Sequence, residues 1–224
     1  FLSLGLECAM QAGAGPFADE LLGLPTRSEQ SSADAIGWDL RRAERYRQKG
    51  DLDLSLRLAR AVHQTANEAG ETRLGMIAAG AVADIFQARG ELDEALRIRR
   101  EEALPVYERL GDVRSRSVTL SRIAGALIAR GGLTDGRIQE IYEALAESFA
   151  IAQKLGLRDG IGYVGMQLAQ VLAIGGMRDE ALAVLSDAEN ALRSLQHVQM
   201  LANVQQLRER ISAMTINDRT PPNY

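Results

Sequence analysis

Residues 88–112 read ARGELDEALRIRREEALPVYERLGD, from Ala88 to Asp112. Gly90 opens an acidic stretch rich in Ala and Leu, and Gly111 closes it. Good helix formers held between two glycines read as one helix bracketed by turns. Nothing in the stretch looks catalytic. Its meaning lies in its recurrence, because the chain returns to it about four times.

Glycines that separate paired helices stand at Gly50, Gly90, Gly131 (or Gly132) and Gly176 (or Gly175), steps of about 40 residues. A second series, Gly70, Gly111 and Gly156, follows roughly 20 to 25 residues behind the first and marks helix C-termini. Aligning on the first series stacks GDLDLSL, GELDEAL, GLTDGRI and GMRDEAL. Seven positions upstream stand Ala43, Ala83, Ala124 and Ala169, and four upstream stand Tyr46, Phe86, Leu127 and Leu172. A small residue lets antiparallel helices approach, and a large one a turn later fills the space beside it. Eight upstream come Arg42, Val82, Ile123 and Leu168, apolar in all but the first unit, as expected of an end without a preceding neighbour.

Each unit is therefore helix, glycine turn, helix. The spacing predicts A helices over 34–49, 73–89, 113–130 and 158–174, and B helices over 53–69, 93–110, 138–155 and 179–195. The Asp of LDEAL and RDEAL is expected to cap the B helix with its carboxylate. A last helix over 198–214 carries Val198, Leu201, Val204, Leu207 and Ile211 on one stripe and reads as a cap on the final repeat edge.

Composition agrees. Of 224 residues 46% are apolar and 4% aromatic, so a sizeable core of closely packed helices is favoured over a β-sandwich. Five prolines leave long segments uninterrupted. A net charge of −4, from 26 basic and 30 acidic residues, disfavours a nucleic-acid partner. No apolar run reaches the ~18 residues of a spanning helix, so no membrane partner is expected. The single cysteine, Cys8, fits a reducing compartment, and a cytoplasmic location is expected. A chain beginning with Phe1 is expected to start inside a longer polypeptide, and FLSLGLECAM lacks the basic leader of a signal peptide.

The small residue, large apolar residue, glycine turn and alanine of Ala83, Phe86, Gly90 and Ala95 recur at Ala169, Leu172, Gly176 and Ala181. In this pattern the chain resembles the tetratricopeptide repeat family, in its bacterial variety of about 40 residues, over roughly residues 34–196. Departures are Trp38, one position before the family's usual tryptophan, Ser55 in place of the B-helix alanine, and four or five extra residues in GGLTDGRIQEIYEAL. The resemblance implies an all-α, right-handed solenoid of about four helix-turn-helix repeats over 34–197, with a capping helix over 198–214. Residues 1–33 read as two short helices and a linker, either a degenerate repeat or the tail of an upstream domain, and 215–224 as a flexible tail.

Candidate chemistry is thin. His63 and His197 lack metal-ligand spacing, and Cys8 has no histidine near it in sequence. Glu101 and Glu102, or Asp93 and Glu94, are adjacent on a helix and point about 100° apart, so neither forms a facing carboxylate pair. GAGPF lacks the Lys-Ser/Thr of a phosphate loop. No catalytic residue, cofactor or metal is expected. Function is expected instead in the groove that the resemblance implies, lined by A-helix residues six and three before the turn glycine: Glu44 and Arg47, Asp84 and Gln87, Gly125 and Ile128, Gln170 and Ala173. Ten before it come Leu40, Gly80, Ser121 and Met166. The expected partner is a protein or peptide, in a larger bacterial signalling protein. Two rivals stay open: the sensor region of a multidomain signalling ATPase, protease or regulator, and a self-assembly scaffold.

Overall fold

The computed structural model of the chain describes residues 32–134 and 136–214. The two N-terminal helices, Cys8, most of the linker and the tail all lie outside the described residues. The helices are α1 Ser32–Gln48, α2 Leu52–Glu68, α3 Thr72–Ala88, α4 Leu92–Arg97, α5 Leu104–Leu110, α6 Val113–Ala129, α7 Ile138–Lys154, α8 Arg158–Ile174, α9 Arg178–Ser194 and α10 Val198–Ala213. They run within two residues of the expected spans, with two corrections. The first is that α1 begins at Ser32, inside the segment read as a linker.

The second is that the B helix expected over 93–110 is not one regular helix. Between α4 and α5 the backbone widens to a π-helix over Ile98–Ala103. Pro105 follows after Leu104. In a regular α-helix its ring would clash with the carbonyl four residues back, that of Glu101, and a π-bulge relieves this.

The first-series turns share one construction. Gly50, Gly90, Gly131 and Gly176 are all left-handed, with φ of 83°, 81°, 92° and 77°. The amide after each glycine donates back to the carbonyl of the large residue four before it: Asp51 to Tyr46 at 3.0 Å, Glu91 to Phe86 at 2.9 Å, Gly132 to Leu127 at 2.8 Å and Met177 to Leu172 at 2.9 Å. This is a Schellman closure, and it accounts for the fixed glycine. In the third repeat the extra residues lie between two left-handed glycines, Gly131 and Gly136, so α6 ends at the first and α7 starts after the second.

Capping differs from expectation. Asp93 and Asp179 lie in the first turns of α4 and α9, where the helix dipole favours them, but no side-chain cap is made there. The carboxylates that accept capping amides are Asp51, from Leu54 at 3.0 Å, and Asp112, from Ser115 at 3.0 Å.

The chain divides between Ile98 and Arg99 into two compact units. In the N-terminal unit α1 packs on α2 and α3, α2 on α3, and α3 on α4. Ala43, Ala83 and Ala59 are at most 1% exposed where these helices approach. Ser55, the departure from alanine, is buried too, and its hydroxyl donates to the Ala43 carbonyl at 2.6 Å. A small hydroxyl thus keeps the close approach and adds a hydrogen bond.

In the C-terminal unit α5 packs on α6, α6 on α7, α7 on α8, α8 on α9, and α10 on both α9 and α8. Ala124 and Ala169 are fully buried. Val204 and Ile211 are the residues that α10 buries, while Gln199, Asn203, Gln206 and Glu209 lie exposed on its other side. Arg116 ties α5, α6 and α7 together through Glu108, at 3.2 Å, and Glu147. The hydrogen bond to Glu147 is the main cause of an Arg116 pKa raised above its usual value.

Candidate functional site

In the N-terminal unit the expected groove residues fall into two groups. Glu44, Arg47 and Asp84 form one electrostatic cluster. Arg47 grips Glu44 with two hydrogen bonds, Nε to Oε2 at 2.8 Å and Nη2 to Oε1 at 2.7 Å, and Gln48 donates to the same carboxylate at 3.0 Å. The bond to Glu44 raises the Arg47 pKa against the opposing effect of partial burial, and Asp84 adds a weaker attraction. Gln87 is half-buried on α3, one turn beyond Asp84. Leu40 goes elsewhere: it packs against Ile36, Val62, Ala66 and Ala78, as part of the core. Glu44, Arg47, Asp84 and Gln87 are all half-buried.

Gly80 in this unit and Gly125 in the other share a property. A methyl group at either position would meet no atom within 4 Å, so both helices present open backbone there. Ile128, Met166 and Ala173 are half-buried and Gln170 is exposed. Ser121 is buried, its hydroxyl donating to the Val118 carbonyl at 3.0 Å.

Ser121 also lines a recess of the C-terminal unit. The A helices α1 and α3 pack together, as do α8 and α10, but α6 and α8 scarcely touch. Between them lies a cavity of about 270 Å³, closed underneath by α7. Its floor is a reciprocal clasp: Ser117 Oγ donates to the Ser148 carbonyl at 3.0 Å and Ser148 Oγ to the Ser117 carbonyl at 2.9 Å. Val118 on α6 and Tyr163 on α8, 51% and 47% exposed, form its apolar walls. Arg114 and Arg122 stand along α6, and Asp159 in the first turn of α8.

Of the expected residues only Ser121 lines this cavity. Val118 and Tyr163 were missed, although a signal existed. Thirteen positions before the turn glycine stand Gly37, Ile77, Val118 and Tyr163, and a large apolar residue on an exposed A-helix face is worth flagging. A second signal is α6 itself, VRSRSVTLSRIAGALIA, with three arginines and no acid.

Among the described residues no cluster of three or more His, Cys, Asp or Glu is arranged to hold a metal, and no helix is long and apolar enough to cross a membrane. His63 on α2 is half-buried, and His197, just before α10, is exposed.

No family model and no curated protein matches the chain. Solved structures do. Aspartyl phosphate phosphatase F from Bacillus subtilis superposes with a TM-score of 0.71 at 13% identity, over 87% of this chain and 48% of that one. This chain thus spans about half the length of that relative. The TPR-like repeats of a kinesin light chain from Podosopora anserina give 0.58 at 18% identity, over 86% and 99% of the two chains. BtubC from P. vanneervenii gives 0.59 at 15% identity, over 100% and 84%. At these identities the likeness is one of fold. The chain has the all-α fold of tetratricopeptide-like helical repeats. The glycine-and-alanine pattern anticipated that fold.

Proposed function

We propose that this chain is a non-catalytic protein-interaction module, binding a peptide or protein segment on its A-helix faces, within a larger bacterial signalling protein of the cytoplasm. One observation carries the reading: the A helices bear side chains and open backbone that the core does not use. Gly80 and Gly125 face open space, and Val118 and Tyr163, about half exposed, line the α6–α8 recess. A conserved packing frame with variable faces is how helical repeats present binding surfaces. The Bacillus subtilis phosphatase, about twice as long as the part matched here, supports a multidomain setting.

The test is a random-peptide display selection with the full chain as bait. Recovered peptides are then measured against the native chain and against Glu44→Lys/Asp84→Lys. Peptides that bind natively and lose affinity in that double variant assign them to the N-terminal face. A selection that yields no binder defeats the reading.

A second reading, self-assembly, is favoured by a specific feature. Leu110, Leu155 and Leu195 each precede the left-handed residue that ends a B helix, at Gly111, Gly156 and Gln196, and each is at least 40% exposed. Val198, next to the last of these, is 78% exposed. Sedimentation of the native chain and of Leu155→Glu/Val198→Glu tests it: a native monomer at all concentrations defeats it.

A further inference from the structure

We propose that the cavity between α6 and α8 takes an extended segment of a partner protein that carries an acidic, an apolar and a second acidic residue at alternate positions. This rests on the interaction reading above and names its site and the chemistry recognised.

The spacing comes from α6. Arg114, Val118 and Arg122 are four residues apart and all line the cavity. At a rise of ~1.5 Å per residue, the two arginines are about 12 Å apart along the helix, with Val118 midway. An extended chain rises ~3.3 Å per residue and turns every second side chain to one face. Residues i, i+2 and i+4 of such a segment therefore span about 13 Å, in register with arginine, valine and arginine. The third arginine of α6, Arg116, does not line the cavity.

The centre of the cavity calls for an apolar group. Its hydroxyls are already used: Ser117 and Ser148 bond to each other's carbonyls, and Ser121 to Val118. An acceptor on a ligand finds no spare hydroxyl proton there, whereas covering Val118 and Tyr163 removes apolar surface from water. A volume of about 270 Å³ lies below the ~300–1,000 Å³ typical of small-molecule sites, and suits one anchoring side chain. The lining's one carboxylate, Asp159, lies on α8, so positive charge is confined to the α6 side. A helical partner would need acids eight residues apart.

The probe is a capped nine-residue peptide in a Ser/Gly background with Glu at its third and seventh positions and Leu at its fifth. It is titrated into the isotope-labelled full chain and followed by amide NMR shifts. Shifts are expected to centre on residues 114–122 and Tyr163 and to shrink with added salt. Arg114→Glu/Arg122→Glu should weaken binding about tenfold or more, and the milder Arg114→Gln/Arg122→Gln should weaken it in the same direction if reversal disturbs folding. Asn203→Lys/Glu209→Lys, on the exposed side of α10, should leave this binding unchanged. The inference is overturned if a Gln-for-Glu peptide binds equally, if the arginine variants bind like the native chain, if acids eight apart bind better, or if the probe does not bind. Display peptides that bind but ignore the arginine variants would defeat this inference and leave the interaction reading standing. An empty selection would defeat that reading itself.

Discussion

Alanine in place of Gly125 or Gly162 is one chemical change made in two helices of the same unit, and the structure assigns it opposite signs. Both glycines lie in the interior of 17-residue helices, α6 and α8, at ordinary right-handed φ. Alanine is intrinsically favoured over glycine there by ~0.8–1.0 kcal/mol. At Gly125 the new methyl meets no atom within 4 Å, so Gly125→Ala should stabilise by about 0.5–1 kcal/mol. At Gly162 it would stand 2.5 Å from Leu192 Cδ2 and 2.6 Å from Cγ. Carbon atoms pack at ~3.5–4.0 Å, so the overlap is about 1 Å. Leu192 is 1% exposed, so its side chain must leave its packed position or α8 and α9 must separate. Overpacking of this kind costs ~1–3 kcal/mol, which outweighs the propensity gain. The two variants should therefore differ by about 2 kcal/mol, or roughly 4–8 °C in Tm for a chain of this size. Urea and thermal unfolding of the full chain, followed by far-UV circular dichroism, read the difference directly. Coincident transitions for the two variants would refute the close approach of α8 and α9.

Ala83→Leu and Ala169→Leu place a large side chain at fully buried positions and should each cost ~1–3 kcal/mol by the same unfolding measurement. Unchanged melting of both would count against the repeat alignment. Removing residues 198–224 takes away Val204 and Ile211 and uncovers the apolar edge of α8 and α9. Light scattering should then report aggregation, or unfolding should begin earlier; a monomer of native stability would show that α10 is no cap.

The helices and their limits were legible because they are set within one or two turns of chain. Left-handed glycine, a back-bond from the residue after it and a small residue at the approach are all short-range devices, and Gly50, Gly90 and Gly176 announce them. Legibility failed where the same geometry uses another residue. Gln196 ends α9 in the left-handed region at φ 55° without being glycine. It failed again where one residue's effect falls upstream of it, as the π-bulge lies before Pro105. Asp93 looked like a cap and is not one, because the acceptor position falls on the residue just before the helix, which Asp51 and Asp112 occupy in other repeats.

The candidate site was legible only in part, and for a physical reason. The resemblance implied Glu44, Arg47, Asp84 and Ser121 as groove residues; the first three share one electrostatic cluster in the N-terminal unit, and Ser121 lines the cavity of the C-terminal unit. Periodicity does not say which neighbouring helices stay apart. That α6 stands off from α8 goes with the packing of both against α7 and with contacts 31 residues apart, such as the Ser117–Ser148 clasp. An all-α repeat, its period and its turns can be read residue by residue, because they are local energies repeated along the chain. That Arg114, Val118, Arg122 and Tyr163 border one recess follows from how the helices pack, because a cavity is the space left between helices, and no residue encodes it alone.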